Sequence, residues 1–120
     1  MNEFIKINPK AGYIEGNLKF LEFKDSNQVI IYFPSLELSA YGSDQKEARK
    51  MGELVIKDYG NSLIQLPEAK ASQELAKYGW RRSKLLKKVF NNKVFIDIKG
   101  ILKNFDLPEE TPVEENFLAV

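Results

Sequence analysis

The residues of this chain best placed to do chemistry are cations. Trp80-Arg81-Arg82, followed by Lys84, Lys87 and Lys88, sets one large ring beside a run of positive charge. Guanidinium and ammonium groups at that spacing suit phosphate oxygens, and an indole with Tyr78 beside it suits stacking on unpaired bases. The competing reading buries Trp80 in the core and leaves the cations to keep a strand or helix edge soluble. The second reading is favoured, because the basic residues outnumber any aromatic platform next to them.

Other chemistries are limited by what is missing. The chain has no histidine and no cysteine. That removes Cys/His zinc sites, haem ligation through histidine, a thiolate nucleophile and the Ser-His-Asp route to an activated serine. The glycines are scattered and form neither a P-loop nor a dinucleotide fingerprint. The acidic pairs Glu109-Glu110 and Glu114-Glu115 stand in a proline-bearing tail, where adjacent carboxylates have no dry pocket to shift their pKa values. The expectation is a protein that is not an enzyme, with no catalytic residues, no metal ligands and no cofactor.

Lys and Arg total 18 against 17 Asp and Glu over 120 residues, yet the signs are segregated. Lys77, Arg81, Arg82, Lys84, Lys87, Lys88, Lys93 and Lys99 face only Glu74 and Asp97, and the tail then reverses with Asp106, Glu109, Glu110, Glu114 and Glu115. Such a block reads as a nucleic-acid surface with a counter-charged tail, or more often as solvated faces that settle against each other. The length suits one domain. No stretch approaches the roughly 20 apolar residues of a membrane span, and Met1-Asn2-Glu3-Phe4-Ile5-Lys6 lacks the form of a secretory signal. A cytoplasmic, reducing location is expected.

The elements that must position these groups follow from periodicity. Phe4, Ile5 and Ile7 make a short apolar run ended by Pro9 and Gly12, suited to an edge strand. Gly16-Asn17 is a turn signal. Leu18 to Lys24, Val29 to Phe33 and Leu36 to Ala40 read as three strands of an antiparallel meander. Ser43 then N-caps a helix with Asp44 in its first turn; Ala48, Met51, Val55 and Tyr59 face the sheet with Gly52, and Gly60-Asn61 ends it. A shorter helix starts near Pro67, turns Ala71, Leu75 and Tyr78 inward, and stops at Gly79. Val89 to Ile96 suggests a hairpin turning at Asn91-Asn92. Ile98, Ile101, Leu102 and Phe105 form one helix face ahead of Pro108, and Phe117 to Val120 suits a closing strand. A DNA-binding helix pair over residues 94–119 is disfavoured, because its second helix would carry acidic residues towards phosphate.

One stretch resembles a known family. Ile31-Tyr32-Phe33-Pro34-Ser35-Leu36-Glu37-Leu38-Ser39-Ala40-Tyr41-Gly42-Ser43-Asp44 runs into Glu47-Ala48, then Leu54-Val55 and Tyr59, and closes on Leu75-Ala76-Lys77-Tyr78-Gly79-Trp80. Over about residues 16–80 this resembles the HicB-like antitoxin-type domains, in the subgroup common in some anaerobic bacteria. The pattern is a strand ending in Tyr-x-Pro, then x-Leu, then a glycine before a helix entered by polar residues and Glu-Ala. The resemblance implies an α+β fold, an antiparallel three- to four-stranded sheet with a helix on one face (a β-β-β-α core over 1–80). Residues 81–120 would be an extension packed on the same domain. It also implies a non-catalytic binding protein acting on a protein partner, with a small ribonuclease toxin as the candidate; separately, alternating apolar strands with an exposed edge suit a homo-oligomer. The alternative is an RNA-binding module using the basic segment 81–93, with Trp80, Arg81, Arg82, Lys84, Lys87 and Lys88 as the contact surface.

Overall fold

In the computed structural model, residues 3–8, 10, 12–85, 88–92 and 95–120 are described. The chain is α+β: β1 (Glu3–Asn8), β2 (Tyr13–Asp25), β3 (Gln28–Phe33), β4 (Leu38–Gly42), α1 (Gln45–Gln65), α2 (Glu68–Ala76), β5 (Arg81–Arg82), β6 (Val89–Asn92), α3 (Ile98–Asn104) and β7 (Glu114–Ala119). The seven strands form one sheet, and every pairing among the described residues is antiparallel. The meander of β2, β3 and β4 is as the sequence predicts. The sheet exceeds three or four strands because the N-terminal run and the segment after Trp80 both contribute to it.

The thirteen-residue β2 is the spine. Residue 17 pairs with both β1 and β7, and residues 21 and 22 pair with both β3 and β7. A strand has two edges, so β7 takes one, while β1 and β3 lie end to end along the other. The join between β1 and β3 would leave backbone groups unpaired. Glu3 fills it: its Oε1 accepts from the Lys19 N–H at 2.7 Å and from the Ser35 hydroxyl at 2.9 Å. A carboxylate here does the work of a missing ladder bond.

Period-two alternation gives β2 and β3 a buried residue on each face. Leu18, Phe20, Val29, Ile31 and Phe33 belong to the core under α1 and α2. Leu21, Phe23 and Ile30 form a second cluster with Leu102, backed by Ile98, Ile101 and Phe105 around α3. Phe105 meets Phe23 and Tyr32 edge-on at 5.2 and 5.5 Å. The α3 face is therefore the one its spacing predicts, with Asp97 as N-cap.

Several local expectations are corrected. β1 is interior, paired with β2 on one side and β6 on the other, rather than an edge strand. Gly16 and Asn17 lie within β2; a Cβ on Gly16 would meet the Phe4 carbonyl oxygen at 2.7 Å, so close strand approach explains this glycine. The N-cap of α1 is Asp44, whose Oδ1 accepts from the Glu47 N–H, while the Glu47 carboxylate reaches back to the Ser43 N–H. Ser43 is therefore one position too early. Met51 is 41% exposed, and the buried stripe is Ala48, Gly52, Ile56, Gly60 and Leu63, with Val55 and Tyr59 at its half-buried margin. The helix also continues past Gly60-Asn61 to Gln65. A Cβ on Gly60 would sit 2.5 Å from the Ile14 Cδ1, so this glycine brings helix and sheet together. Asn91 and Asn92 are in β6, which pairs with β5 and β1, so the predicted hairpin turn is not there; Lys93 and Val94 lie outside the described residues.

Candidate functional site

The cations singled out from the sequence sit on and around a small hairpin. Pro67 opens α2, Gly79 takes a positive φ of 90° just after it, and the chain re-enters the sheet as β5. Arg81 and Arg82 then pair with Asn91 and Phe90 of β6. Trp80 is in the core, as the favoured reading has it, and not on the alternative contact surface. It is 1% exposed, and its Nε1 donates to the Ser35 carbonyl oxygen at 2.8 Å. An indole buried that deeply is unavailable to a base, and Tyr78 beside it is half-buried against the core.

The remaining cations divide. Arg81, Lys84 and Lys88 are exposed, and Lys87 lies outside the described residues. Arg82 is held in place: Nη1 pairs with Glu68 at 2.8 Å, Nη2 donates to the Ser72 hydroxyl at 2.6 Å, and its guanidinium lies 5.0 Å from the Phe90 ring centroid. The structure thus brings Arg82 and Lys88 together beside one groove. Its floor is Ile7, Leu63, Ala71 and Phe90, with Ile64 and Leu66 along the wall, and its volume is about 370 Å³. Lys10, Lys88 and the Arg82–Glu68 pair stand at the mouth. The sequence offers no signal for this groove, since its walls come from β1, both early helices and β6.

A second surface lies at the end of the sheet. β4 pairs only with β3 among the described residues, so its outer edge carries no strand. Its residues, Leu38-Ser39-Ala40-Tyr41-Gly42, contain no charge and no proline. Natural edge strands are usually blunted by one or the other. Arg49 of α1 leans towards β2, bonding Glu22 at 2.9 Å over the Phe20 ring. Tyr41, on the strand itself, is 60% exposed and pairs with Ile30, so it stands on the face away from α1; Met51 and Leu54 are exposed on α1 at 41% and 49%. A neutral backbone edge suits strand addition by another polypeptide.

Among the described residues, Tyr59 is the one strongly perturbed group. Burial, with Glu74 and Tyr78 nearby, pushes its phenol well above the usual tyrosine range, and its hydroxyl is buried without a hydrogen-bond partner among the described residues. Burial, and then Glu37, raises Tyr32 as well. Burial is the first cause of both shifts, so both phenols read as packing. Among the described residues no group of three or more Asp or Glu side chains gathers to hold a metal ion, and no helix is long and apolar enough to cross a membrane. Comparison with family models, with curated proteins and with solved structures finds no match to this chain.

Proposed function

We propose that the chain is a non-catalytic binding protein that takes a strand of a protein partner along the outer edge of β4. The carrying observation is that edge: five residues with no charge or proline, paired among the described residues with β3 alone. Main-chain hydrogen bonds along β4 would supply affinity, and the exposed side chains of Ser39 and Tyr41 would supply selectivity. The likeness to HicB-like antitoxin-type domains supports the same class of function and names a small ribonuclease toxin as the partner to try first. An RNA-binding role for segment 81–93 is the weaker reading, since Trp80 is in the core and Arg82 is committed to Glu68 and Ser72.

The test uses a double variant, Ser39→Lys with Tyr41→Lys, which places charges on two exposed positions of the edge. Ribonuclease-treated lysate is passed over immobilised wild type and variant, and bound proteins are compared quantitatively. The proposal expects a protein held by wild type and lost from the variant. Equal retention by both contradicts it, as does retention seen only from lysate left untreated with ribonuclease. Light scattering on each protein alone covers the other occupant: a dimer for wild type and a monomer for the variant would assign the edge to a second copy of this chain and overturn the hetero-partner reading.

A further inference from the structure

The groove at the far end of α1 carries an inference independent of the β4 edge. We infer that it binds a free medium-chain alkyl carboxylate, with the chain on the apolar floor and the head group between Lys10 and Lys88. The floor is of one kind: Ile7, Leu63, Ala71 and Phe90 are buried aliphatic or aromatic side chains, and Ile64 and Leu66 continue the wall. Its volume, about 370 Å³, lies in the range of pockets that enclose small ligands, about 300–1,000 Å³. Two features keep it open. Ala71 is the only floor contribution from α2, and the corner at Leu66-Pro67, extended at Leu66 (ψ 146°), sets α2 away from the end of α1.

The charges at the mouth select the head group. Arg82 and Glu68 satisfy each other at 2.8 Å, so their charges cancel locally. Lys10 and Lys88 are exposed, and neither takes part in an ion pair among the described residues. The mouth therefore has an excess of positive charge directly above an apolar cleft. An anionic head on a hydrocarbon chain matches both halves of that arrangement. A peptide matches less well, because its backbone N–H and C=O groups would lose water against a floor that returns no hydrogen bonds. An anionic membrane is also a poorer match, since the cleft is concave and receives one chain rather than lying on a surface.

The experiment is a calorimetric titration of the full chain with dodecanoate below its micelle concentration. Dodecan-1-ol and dodecyltrimethylammonium serve as neutral and cationic controls of equal chain length, and vesicles of phosphatidylglycerol as the membrane arm. Dodecanoate should bind at one site, with the alcohol weaker and the cation weaker still. Lys10→Gln with Lys88→Gln should weaken dodecanoate about tenfold while leaving the alcohol unchanged, because two solvent-facing charge contacts are worth about that much together. Both lysines are exposed, so this variant keeps its fold. Ala71→Phe should abolish binding of both compounds by filling the cleft, checked against an unchanged melting curve. Equal affinity for dodecanoate and dodecanol, undiminished dodecanoate binding in the lysine variant, or binding to vesicles alone would each overturn the assignment.

Discussion

Glu3 shows how much structure one side chain can hold together. Its carboxylate bridges the place where β1 and β3 meet end to end, accepting from the Lys19 N–H and the Ser35 hydroxyl. Glu3→Ala leaves both donors short of a partner and should destabilise the fold by about 1–3 kcal/mol in denaturant titration. Tyr59→Phe should act in the opposite direction. The hydroxyl it removes has no partner among the described residues, so stability should hold or rise by up to about 1 kcal/mol. The pH dependence follows from the same burial. The folded state holds the Tyr59 phenol above its unfolded pKa, so the unfolded chain releases its proton first as pH passes about 10. Stability is then intact below that pH and declines above it, and Tyr59→Phe should flatten the decline. Melting temperatures of both proteins from pH 8 to 11 check this. At this scale the sequence is partly legible. Trp80 as a core residue follows from its type and neighbours, whereas Glu3 as a ladder substitute depends on a strand junction that no local pattern encodes.

The elements were readable wherever their own periodicity decided them. β3 carries buried residues on both faces, as its run of β-branched and aromatic residues suggests. α3 likewise turns Leu102 and its neighbours to the core. α1 is instructive because its extent and its facing were both misread. Large apolar residues define a stripe through Met51 and Val55, but the helix approaches the sheet through its smallest residues, and Gly52 has a Cβ position only 3.3 Å from the Ile31 Cγ2. Gly52 is the close approach that its place on the sheet-facing stripe suggests, whereas Gly60 reads in sequence as a helix end and instead marks contact with Ile14. The register has a direct test. Ile56 is 0% exposed, so Ile56→Asp buries an unpaired charge and should cost about 3–5 kcal/mol. Met51→Asp, on the exposed flank, should stay within about 0.5 kcal/mol of wild type. Equal losses in the two variants would return the stripe to Met51. The predicted 89–96 hairpin failed for a different reason: an Asn-Asn pair suits a tight turn, but pairing with β1 and β5 claims both residues for a strand.

Over the whole molecule, the α+β class was legible and the size of the sheet was not. Strands β1, β6 and β7 join it through pairings between residues far apart in sequence, such as Glu3 with Asn92 and Leu18 with Leu118. The candidate surfaces share that origin. The basic segment is visible as a run of letters, but the groove beside Arg82 and Lys88 exists only once β1, α1, α2 and β6 converge. The β4 edge was hidden by its neutrality, since Leu38 to Gly42 attracts notice only when its second edge is seen to be unpaired. That edge carries the proposed function, acceptance of a strand from a protein partner. Amide hydrogen exchange, with and without the protein retained by wild type and lost from the edge variant, tests it most directly. Slowed exchange at the outward-facing amides of Leu38 to Gly42, with residues 81–92 unchanged, is the predicted result. Protection confined to residues 81–92, with β4 exchanging as freely as before, would contradict it.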